Sequence, residues 1–233
     1  MAIALYDLAG ADPAVRFSPF CWRTRMALAH KDLSFRTIPW RFSDRQAIAF
    51  SGQARVPVLK DGNKTVSDSW TIAGYLEERY DDRPSLFSGE TSQAHAHFIN
   101  AWTDTVLHPA ILPCVVADIF AAIDPKDQPY FRQSREERFN APLEKVQSGR
   151  DRRIPELRKL LEPARIALGD FEWLGGDDGP SYVDYILFGS FQWIRCISSF
   201  EILAEDSTLW AWRERVLDLF GGLARSAKRA VAD

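Results

Sequence analysis

The chain has 233 residues, 46% hydrophobic and 26% charged, which is typical of a globular protein with one large or two ordinary domains. A formal net charge of −3, without lysines and arginines clustered among aromatic residues, argues against a nucleic-acid partner. No apolar stretch approaches membrane-spanning length and the N-terminus lacks a signal-peptide pattern, so we expect a cytoplasmic protein with no membrane partner.

The spacing of the cysteines and histidines further restricts the kinds of site that we expect in this protein. The three cysteines are widely spaced and odd in number, which argues against a disulfide framework. The four histidines do not combine with cysteines or acids at zinc spacing, so we expect no metal site.

The first eighty residues alternate strand and helix patterns, and the turn Asp61-Gly62-Asn63 indicates a hairpin. We predict four strands, at Ile3–Leu8, Leu33–Pro39, Val56–Lys60 and Thr65–Ser67. We predict three helices, at Pro19–His30, Ser43–Phe50 (capped by Ser43) and Ser69–Tyr80. A βαβ unit followed by ββα predicts a thioredoxin-like α/β domain, which we assign to residues 1–82.

Beyond the break at Asp81-Asp82-Arg83-Pro84 the patterns are nearly all helical. We predict helices at about 92–122, 134–146, 153–168, 182–199 and 208–220. The fold class is therefore a thioredoxin-like α/β domain followed by an all-α domain, the latter at residues 91–233.

The segment Ser18-Pro19-Phe20-Cys21 opens the first helix directly after a strand. A helix N-terminus offers unpaired N–H groups and the positive end of the helix dipole, which favour an anion such as a thiolate. In a disulfide-exchange motif the first position would be the attacking cysteine, and here it is Ser18. The site can therefore stabilise a thiolate that a bound ligand supplies.

Two other segments suit a peptide-like ligand. In Arg55-Val56-Pro57, a cis bond before Pro57 would turn the Val56 backbone toward a ligand, although base rates favour a trans proline at an edge strand. Asp68 and Ser69 begin a helix and form an ordinary N-cap cluster, which could also hold an α-amino acid head group. Ser181-Tyr182-Val183-Asp184 is a capping box, and we interpret Asp184 as a folding residue.

These motifs together resemble the cytosolic glutathione transferases across essentially the whole chain. The resemblance is closest to the bacterial β-etherase-like transferases and their fungal relatives. It rests on Ser18-Pro19-Phe20 with Trp22-Arg23-Thr24, Asp68-Ser69-Trp70, Leu143-Glu144-x-Val146-Gln147-x-Gly149-Arg150 and Trp173-Leu174-Gly175-Gly176-Asp177. It implies a homodimer with one glutathione site per subunit, glutathione as co-substrate and an acceptor pocket between the domains.

Residue by residue, the resemblance makes Ser18 the thiolate-activating group. Val56, before Pro57, matches the residue that pairs with the cysteinyl backbone, and Asp68 and Ser69 match the γ-glutamyl clamp. For the glycyl carboxylate the candidates are Arg41 and Arg55, weighed evenly against ordinary solvated arginines. Tyr6 and Cys21 are interpreted as packing residues, with a mixed disulfide of Cys21 and glutathione left open.

Aromatic residues suggest an apolar, aromatic acceptor. The candidates for the acceptor pocket are Phe20, Trp40, Phe98 and Trp102, the last two at i and i+4 of one helix, whereas Phe188 and Trp193 are assigned to the core. The predicted reaction is attack of glutathione thiolate on an electrophilic carbon, with aryl ether cleavage as a specific version. The alternatives are a carrier without turnover and a thiol oxidoreductase that uses Cys21.

Overall fold

A four-stranded mixed sheet with strand order β2-β1-β3-β4 forms the N-terminal part of the protein. It was analysed in a computed structural model that describes residues 3–176 and 178–231; Asp177, which the resemblance includes, lies outside them. The strands are β1 Ile3–Leu8, β2 Phe35–Trp40, β3 Val58–Asp61 and β4 Lys64–Ser67. The helices of this domain are α1 Pro19–His30 and α2 Ser69–Arg79, and a 3₁₀ helix covers Arg45–Ser51.

The pairing of the strands follows from their connections. Helix α1 crosses over between β1 and β2, which therefore run parallel, with Leu5 opposite Thr37. Strand β3 is antiparallel to β1 and forms a hairpin with β4, whose turn places Gly62 at φ +57°. The predicted hairpin is confirmed, and β1 and α1 have the predicted bounds.

The predicted cap of the short second helix is wrong. Its first flanking residue is Asp44, and no side chain caps it. The Ser43 N–H instead donates to Asp127 Oδ1 at 2.8 Å, and the Phe42 N–H donates to Asp127 Oδ2 at 2.9 Å. The buried Asp127 carboxylate thus ties the loop after β2 to the helical domain, a long-range contact that local sequence pattern does not reveal.

The C-terminal part is helical, which confirms the predicted fold class. Its α-helices are α3 Glu90–Trp102, α4 His108–Ala122, α5 Gln128–Phe139, α6 Leu143–Gln147, α7 Ile154–Asp170, α8 Tyr182–Ile197 and α9 Thr208–Gly222. Helix α8 is buried along nearly its whole length and forms the centre of the domain. The core that surrounds it continues into the sheet domain through α1.

Two predicted helices have a different form in the structure. The helix predicted over 92–122 contains a π-helical segment, Thr103–Leu107, between α3 and α4. The helix predicted over 134–146 is really α5 and α6, because Asn140 adopts a left-handed conformation (φ +50°) and Pro142 follows. Helix α5 also starts earlier, with Pro129 in its first turn.

One expectation about membranes needs correction. The helical run over residues 90–122 is long and apolar enough to cross a bilayer by length and composition, and 39% of its most apolar window is buried. Ile111, Val115 and Val116 of this run belong to the core around α8. Since core helices of globular domains share this composition, packing inside the helical domain accounts for the buried part of the run.

A glycine lets α8 approach the first turn of α1. A Cβ atom added at Gly189 would lie 2.6 Å from the carbonyl oxygen of Pro19, which is closer than van der Waals contact permits. Because both helices are buried there, neither can yield without moving other core residues. The position of the α1 N-terminus therefore depends on a residue of the helical domain.

We expect Gly189→Ala to lower the free energy of unfolding by about 1–3 kcal/mol through overpacking. Gly74→Ala is the matched control, because it lies in helix α2 and its added Cβ would meet no atom within 4 Å. That control should be neutral or stabilising by about 0.5–1 kcal/mol. Urea denaturation of both variants checks the prediction, and equal effects of the two substitutions would contradict it.

Candidate functional site

A cleft of about 650 Å³ lies between the two domains. On the sheet side it is lined by the start of α1 and by the loops after β2 and before β3. On the helical side it is lined by the start of the π-helical segment, α4, α5 and α8. The structure brings Ser18, Phe20, Trp40, Arg55 and Val56 together here, out of the residues singled out in the sequence.

Ser18 is the N-cap of α1 and faces this cleft. Its backbone is extended (φ −66°, ψ 125°) and Pro19 fills the first helical position, which suits the fixed φ of proline. Ser18 Oγ accepts a hydrogen bond from the Cys21 N–H at 3.3 Å. A hydroxyl that accepts through its oxygen still has a hydrogen to donate. Ser18 can therefore donate to an anion placed against the helix N-terminus.

The Val56-Pro57 segment lies at the same cleft. Its peptide bond is cis, and Val56 lines the cleft wall. The Asp68 N–H donates to the Pro57 carbonyl oxygen at 3.3 Å. The start of α2 therefore lies next to the Val56-Pro57 segment, so the three predicted parts of a glutathione site are contiguous.

Asp68 caps α2 from a conformation that is unusual for a residue with a side chain. Its φ is +76°, and its Oδ1 accepts hydrogen bonds from the Trp70 and Thr71 N–H groups, both at 3.0 Å. Left-handed conformations of this kind cost about 1–3 kcal/mol and concentrate at functional sites. The adjacent Ser69 is buried, and its carbonyl oxygen accepts a hydrogen bond from the Tyr182 hydroxyl at 2.7 Å. Capping accounts for these contacts, and the clamp role of Asp68 and Ser69 stays a prediction.

The structure separates the two arginine candidates. Arg41 does not line the cleft; its guanidinium donates to the carbonyl oxygens of Gly10 (3.1 Å) and Ala11 (3.0 Å) and lies 3.3 Å from Asp124. It therefore supports the loop after β1. Arg55 is exposed at the cleft and remains the candidate for a ligand carboxylate.

The aromatic candidates for the acceptor pocket also differ in whether they line the cleft. Phe20 and Trp40 line the cleft, while Phe98 and Trp102 do not. Phe98 is 67% exposed, because the face of α3 that packs inward is the one with the buried Ala96. Trp102 packs against the core instead. Trp193, assigned to the core from the sequence, is buried but also contributes to the cleft wall.

The sequence interpretation missed His108. Its ring lies 5.3 Å edge-on from Phe20 and 5.6 Å from Trp193, and its Nε2 is 3.0 Å from Ser190 Oγ. Burial and the nearby Arg23 lower the pKa of His108 to about 3, so the ring is neutral at physiological pH. Its Nδ1 also lies 3.6 Å from Asp104 Oδ1, four residues earlier on the same helical run. The contacts that bring His108 to the cleft were not predicted, because Phe20, Ser190 and Trp193 lie more than eighty residues away in the sequence.

The cleft residues of α5 were missed as well. Tyr130, Phe131, Ser134, Arg135 and Arg138 form one stripe along this helix and line the cleft. Their spacing of three, four and eight residues is a helical-face signal. This signal was missed because the predicted helix began at Ser134 and so excluded Tyr130 and Phe131.

Cys21 is fully buried and does not line the cleft. Burial raises the pKa of its thiol well above the ordinary value, and the neighbouring buried Asp7 raises it further. A thiol held protonated away from the cleft is a poor nucleophile. This geometry argues against an oxidoreductase that works through Cys21.

Comparisons with known proteins agree with this architecture. Residues 13–84 match a family model described as Glutathione S-transferase, N-terminal domain, and residues 94–222 match Glutathione S-transferase, C-terminal domain. Glutathione S-transferase U22 of Arabidopsis thaliana is 27% identical over 207 residues, 86% of this chain and 82% of that protein.

Two solved structures superpose over most of the chain. Glutathione transferase GSTFuA3 from Phanerochaete chrysosporium has a TM-score of 0.74 and 29% identity, covering 95% of this chain and 92% of its own. The glutathione S-transferase CsGST63524 of Ceriporiopsis subvermispora, solved in complex with glutathione, has a TM-score of 0.70 and 28% identity, with coverages of 94% and 96%.

Proposed function

Because this chain belongs to the glutathione S-transferase family, we propose that it catalyses attack of the glutathione thiolate on an electrophilic carbon of an apolar, aromatic second substrate. The observation that carries the proposal is the hydroxyl of Ser18 at the N-terminus of α1, on the wall of a cleft lined by aromatic rings. In this proposal the Ser18 hydroxyl stabilises the thiolate, and the aromatic rings contact the acceptor.

Glutathione occupies the sheet side of the cleft in this proposal. Its cysteinyl backbone pairs with the backbone of Val56, its γ-glutamyl end lies at Asp68 and Ser69, and its glycyl carboxylate meets Arg55. The contiguity of these segments and the exposure of Arg55 at the cleft support this placement. The glutathione complex of the similar Ceriporiopsis subvermispora protein supports glutathione as the ligand.

Ser18 and the helix N-terminus stabilise the thiolate more than the thiol. A free thiol has a pKa of about 8.5, and lowering it by about two units requires roughly 3 kcal/mol of preferential stabilisation. A hydrogen bond to a charged group contributes about 1.5–3 kcal/mol, and a helix terminus about 0.3–1 kcal/mol. Together these contributions reach the required magnitude.

The acceptor lies against Phe20, Trp40 and the helices that face them. Apolar surface gains about 25 cal/mol for each Å² removed from water, whereas an unpaired polar group loses free energy there. In the aryl ether version, the thiolate forms a C–S bond at the carbon that bears the aryloxy group, and a phenolate leaves. Resemblance to the β-etherase-like subgroup supports this version.

We expect bulky aromatic acceptors to react faster than a glutathione mixed disulfide. Single-turnover assays with an aryl ether, a halogenated aromatic compound and the mixed disulfide measure the ranking. Cys21→Ala is the control, and it should leave the transferase rates within about two-fold because the thiol is buried outside the cleft. Reaction with the mixed disulfide alone, lost in Cys21→Ala, would replace the transferase by an oxidoreductase. Tight binding of glutathione and aromatics without turnover would indicate a carrier.

We further propose that the protein is a cytoplasmic homodimer. We propose that each subunit has one domain at residues 1–82 and a second at residues 91–233. The exposure of Phe98 (67%) and Val106 (38%) on the α3–α4 run supports a partner surface there. The cysteines Cys21, Cys114 and Cys196 are all unpaired, which suits a reducing compartment. Sedimentation equilibrium should give twice the chain mass, and a monomer would contradict the dimer.

A further inference from the structure

Four arginines converge on one end of the cleft. Arg45, at the start of the 3₁₀ helix, and Arg55, in the loop before β3, reach it from the sheet domain. Arg135 and Arg138 reach it from α5. We call these four residues the arginine rim. Across residues 3–176 and 178–231, none of the four guanidinium groups forms an ion pair with a carboxylate. The rim therefore places positive charge at the cleft without a matching negative charge.

The surroundings of Arg135 reflect this excess. Burial lowers the pKa of Arg135 below its ordinary value; Tyr130 opposes this shift, and the nearby charges of Arg138 and Arg55 add to it. Asp104 is the one carboxylate among the described lining residues, and it is 2.7 Å from the Arg23 guanidinium. The negative charge of Asp104 is therefore paired with Arg23, which does not belong to the rim.

Aromatic rings hold two of the rim arginines in place. The Arg135 guanidinium carbon lies 4.6 Å from the Phe131 ring centroid, and that of Arg45 lies 5.3 Å from the Tyr130 centroid. The Phe42 ring packs on both of these rings, at 6.1 Å and 6.3 Å. Arg135 Nη1 also donates a hydrogen bond to Ser134 Oγ at 2.9 Å. Because the contact with a ring uses the face of a guanidinium, the other N–H donors, which lie in its plane, can bind a carboxylate.

Glutathione does not account for the whole rim. Its glycyl carboxylate is assigned to Arg55 and its γ-glutamyl carboxylate to the start of α2, which leaves the α5 arginines without an anion. An aromatic wall with unpaired guanidinium groups at its edge fits a planar molecule that carries a negative charge.

Building on the proposed function, we propose that Arg135 and Arg138 bind a carboxylate on the aromatic acceptor, so that the enzyme selects aromatic acids over neutral aromatics of the same size. The carboxylate lies against the α5 arginines while the electrophilic carbon points toward Ser18. The rim then fixes the direction in which the acceptor enters the cleft.

The test compares 4-chloro-3-nitrobenzoate with its primary amide, which has nearly the same shape and no charge. In both, the thiolate forms a C–S bond at the ring carbon that bears chlorine, and chloride leaves. We expect kcat/KM to favour the acid in the native protein. The double variant Arg135→Gln/Arg138→Gln should lower kcat/KM for the acid by about 10- to 100-fold and leave the amide and the KM of glutathione nearly unchanged.

Controls separate a local site from net charge and from misfolding. Arg36→Gln/Arg152→Gln removes the same charge from exposed positions outside the cleft and should keep the preference. Arg138→Gln alone, at an exposed residue, repeats the test with less risk to folding, which circular dichroism checks. An equal loss in the control pair would overturn the proposal. So would a rise in the KM of glutathione with equal losses for acid and amide.

Binding measurements keep this inference distinct from the proposed reaction. Calorimetric titration of the acid and the amide into the protein loaded with S-methylglutathione, which has no reactive thiol, measures acceptor preference without chemistry. Preference for the acid that disappears in the double variant supports the rim even if neither compound is converted, in which case the transferase proposal fails alone. Equal affinity of the native protein for acid and amide overturns the inference.

Discussion

Ser18→Ala should lower turnover by about 10- to 1000-fold while glutathione affinity changes only a few-fold, because the hydrogen bond strengthens as the thiol ionises. In the variant the N-terminus of α1 and the cleft remain, so binding persists. What is lost is the donor that favours the thiolate over the thiol. The reaction should therefore require higher pH, since a smaller fraction of bound glutathione is ionised at neutral pH.

The direct measurement is the ultraviolet absorbance of bound glutathione thiolate, titrated against pH in the native protein and in Ser18→Ala. The midpoint should rise in the variant, toward the ordinary thiol pKa of about 8.5. Ser18→Cys is an informative companion, because it restores the attacking cysteine of a disulfide-exchange motif at the same helix terminus. An unchanged midpoint in Ser18→Ala would remove Ser18 from the mechanism.

Asp184→Ala should be the most destabilising of the substitutions considered. The capping box with Ser181 is present, and the same buried carboxylate also accepts from the Leu174 N–H at 2.9 Å and from Trp212 Nε1 at 2.8 Å. A lost cap alone costs about 1–2 kcal/mol. Because three N–H donors would be left unpaired in the interior, we expect a loss of about 3–5 kcal/mol in the free energy of unfolding.

Ser207→Ala provides the comparison for an ordinary cap. Ser207 Oγ accepts from the Trp210 N–H at the start of α9 and donates to the Ala204 carbonyl oxygen, so its loss should cost about 1 kcal/mol. Thermal and urea denaturation measure both variants, and turnover per folded molecule should match the native protein in each. If Asp184→Ala abolished turnover and left the melting temperature unchanged, Asp184 would be a functional residue.

The sequence pattern predicted those elements whose bounds are set by residues next to them in the sequence. Strand β1 is a short apolar run that ends before a proline-initiated helix, and both have the predicted bounds. Helix α5 was misplaced because a charged, exposed helix gives a weak apolar period, although Pro129 was a usable start signal. The π-helical segment at Thr103–Leu107 has no sequence signal that we recognise.

The structure brings to the cleft those predicted site residues whose positions are set by local motifs, and it leaves out those whose positions depend on tertiary packing. Ser18 and Val56 reach the cleft because a helix start and the entry to a strand carry them there. Arg41 and Phe98 do not, because the direction of a loop side chain and the rotation of a helix depend on distant partners such as Asp124. His108 enters the site through contacts between domains, which a single sequence does not display.

Gly189 packs closely on the Pro19 carbonyl oxygen, so the start of α1 lies directly against the centre of the helical domain. Pro19 follows Ser18 directly, so α8 helps to position the hydroxyl that we propose stabilises the thiolate. Any tilt of α8 that widened the cleft for a larger acceptor would also displace that hydroxyl. In the proposed mechanism, the size of the acceptor and the activation of the thiolate would therefore be coupled through α8.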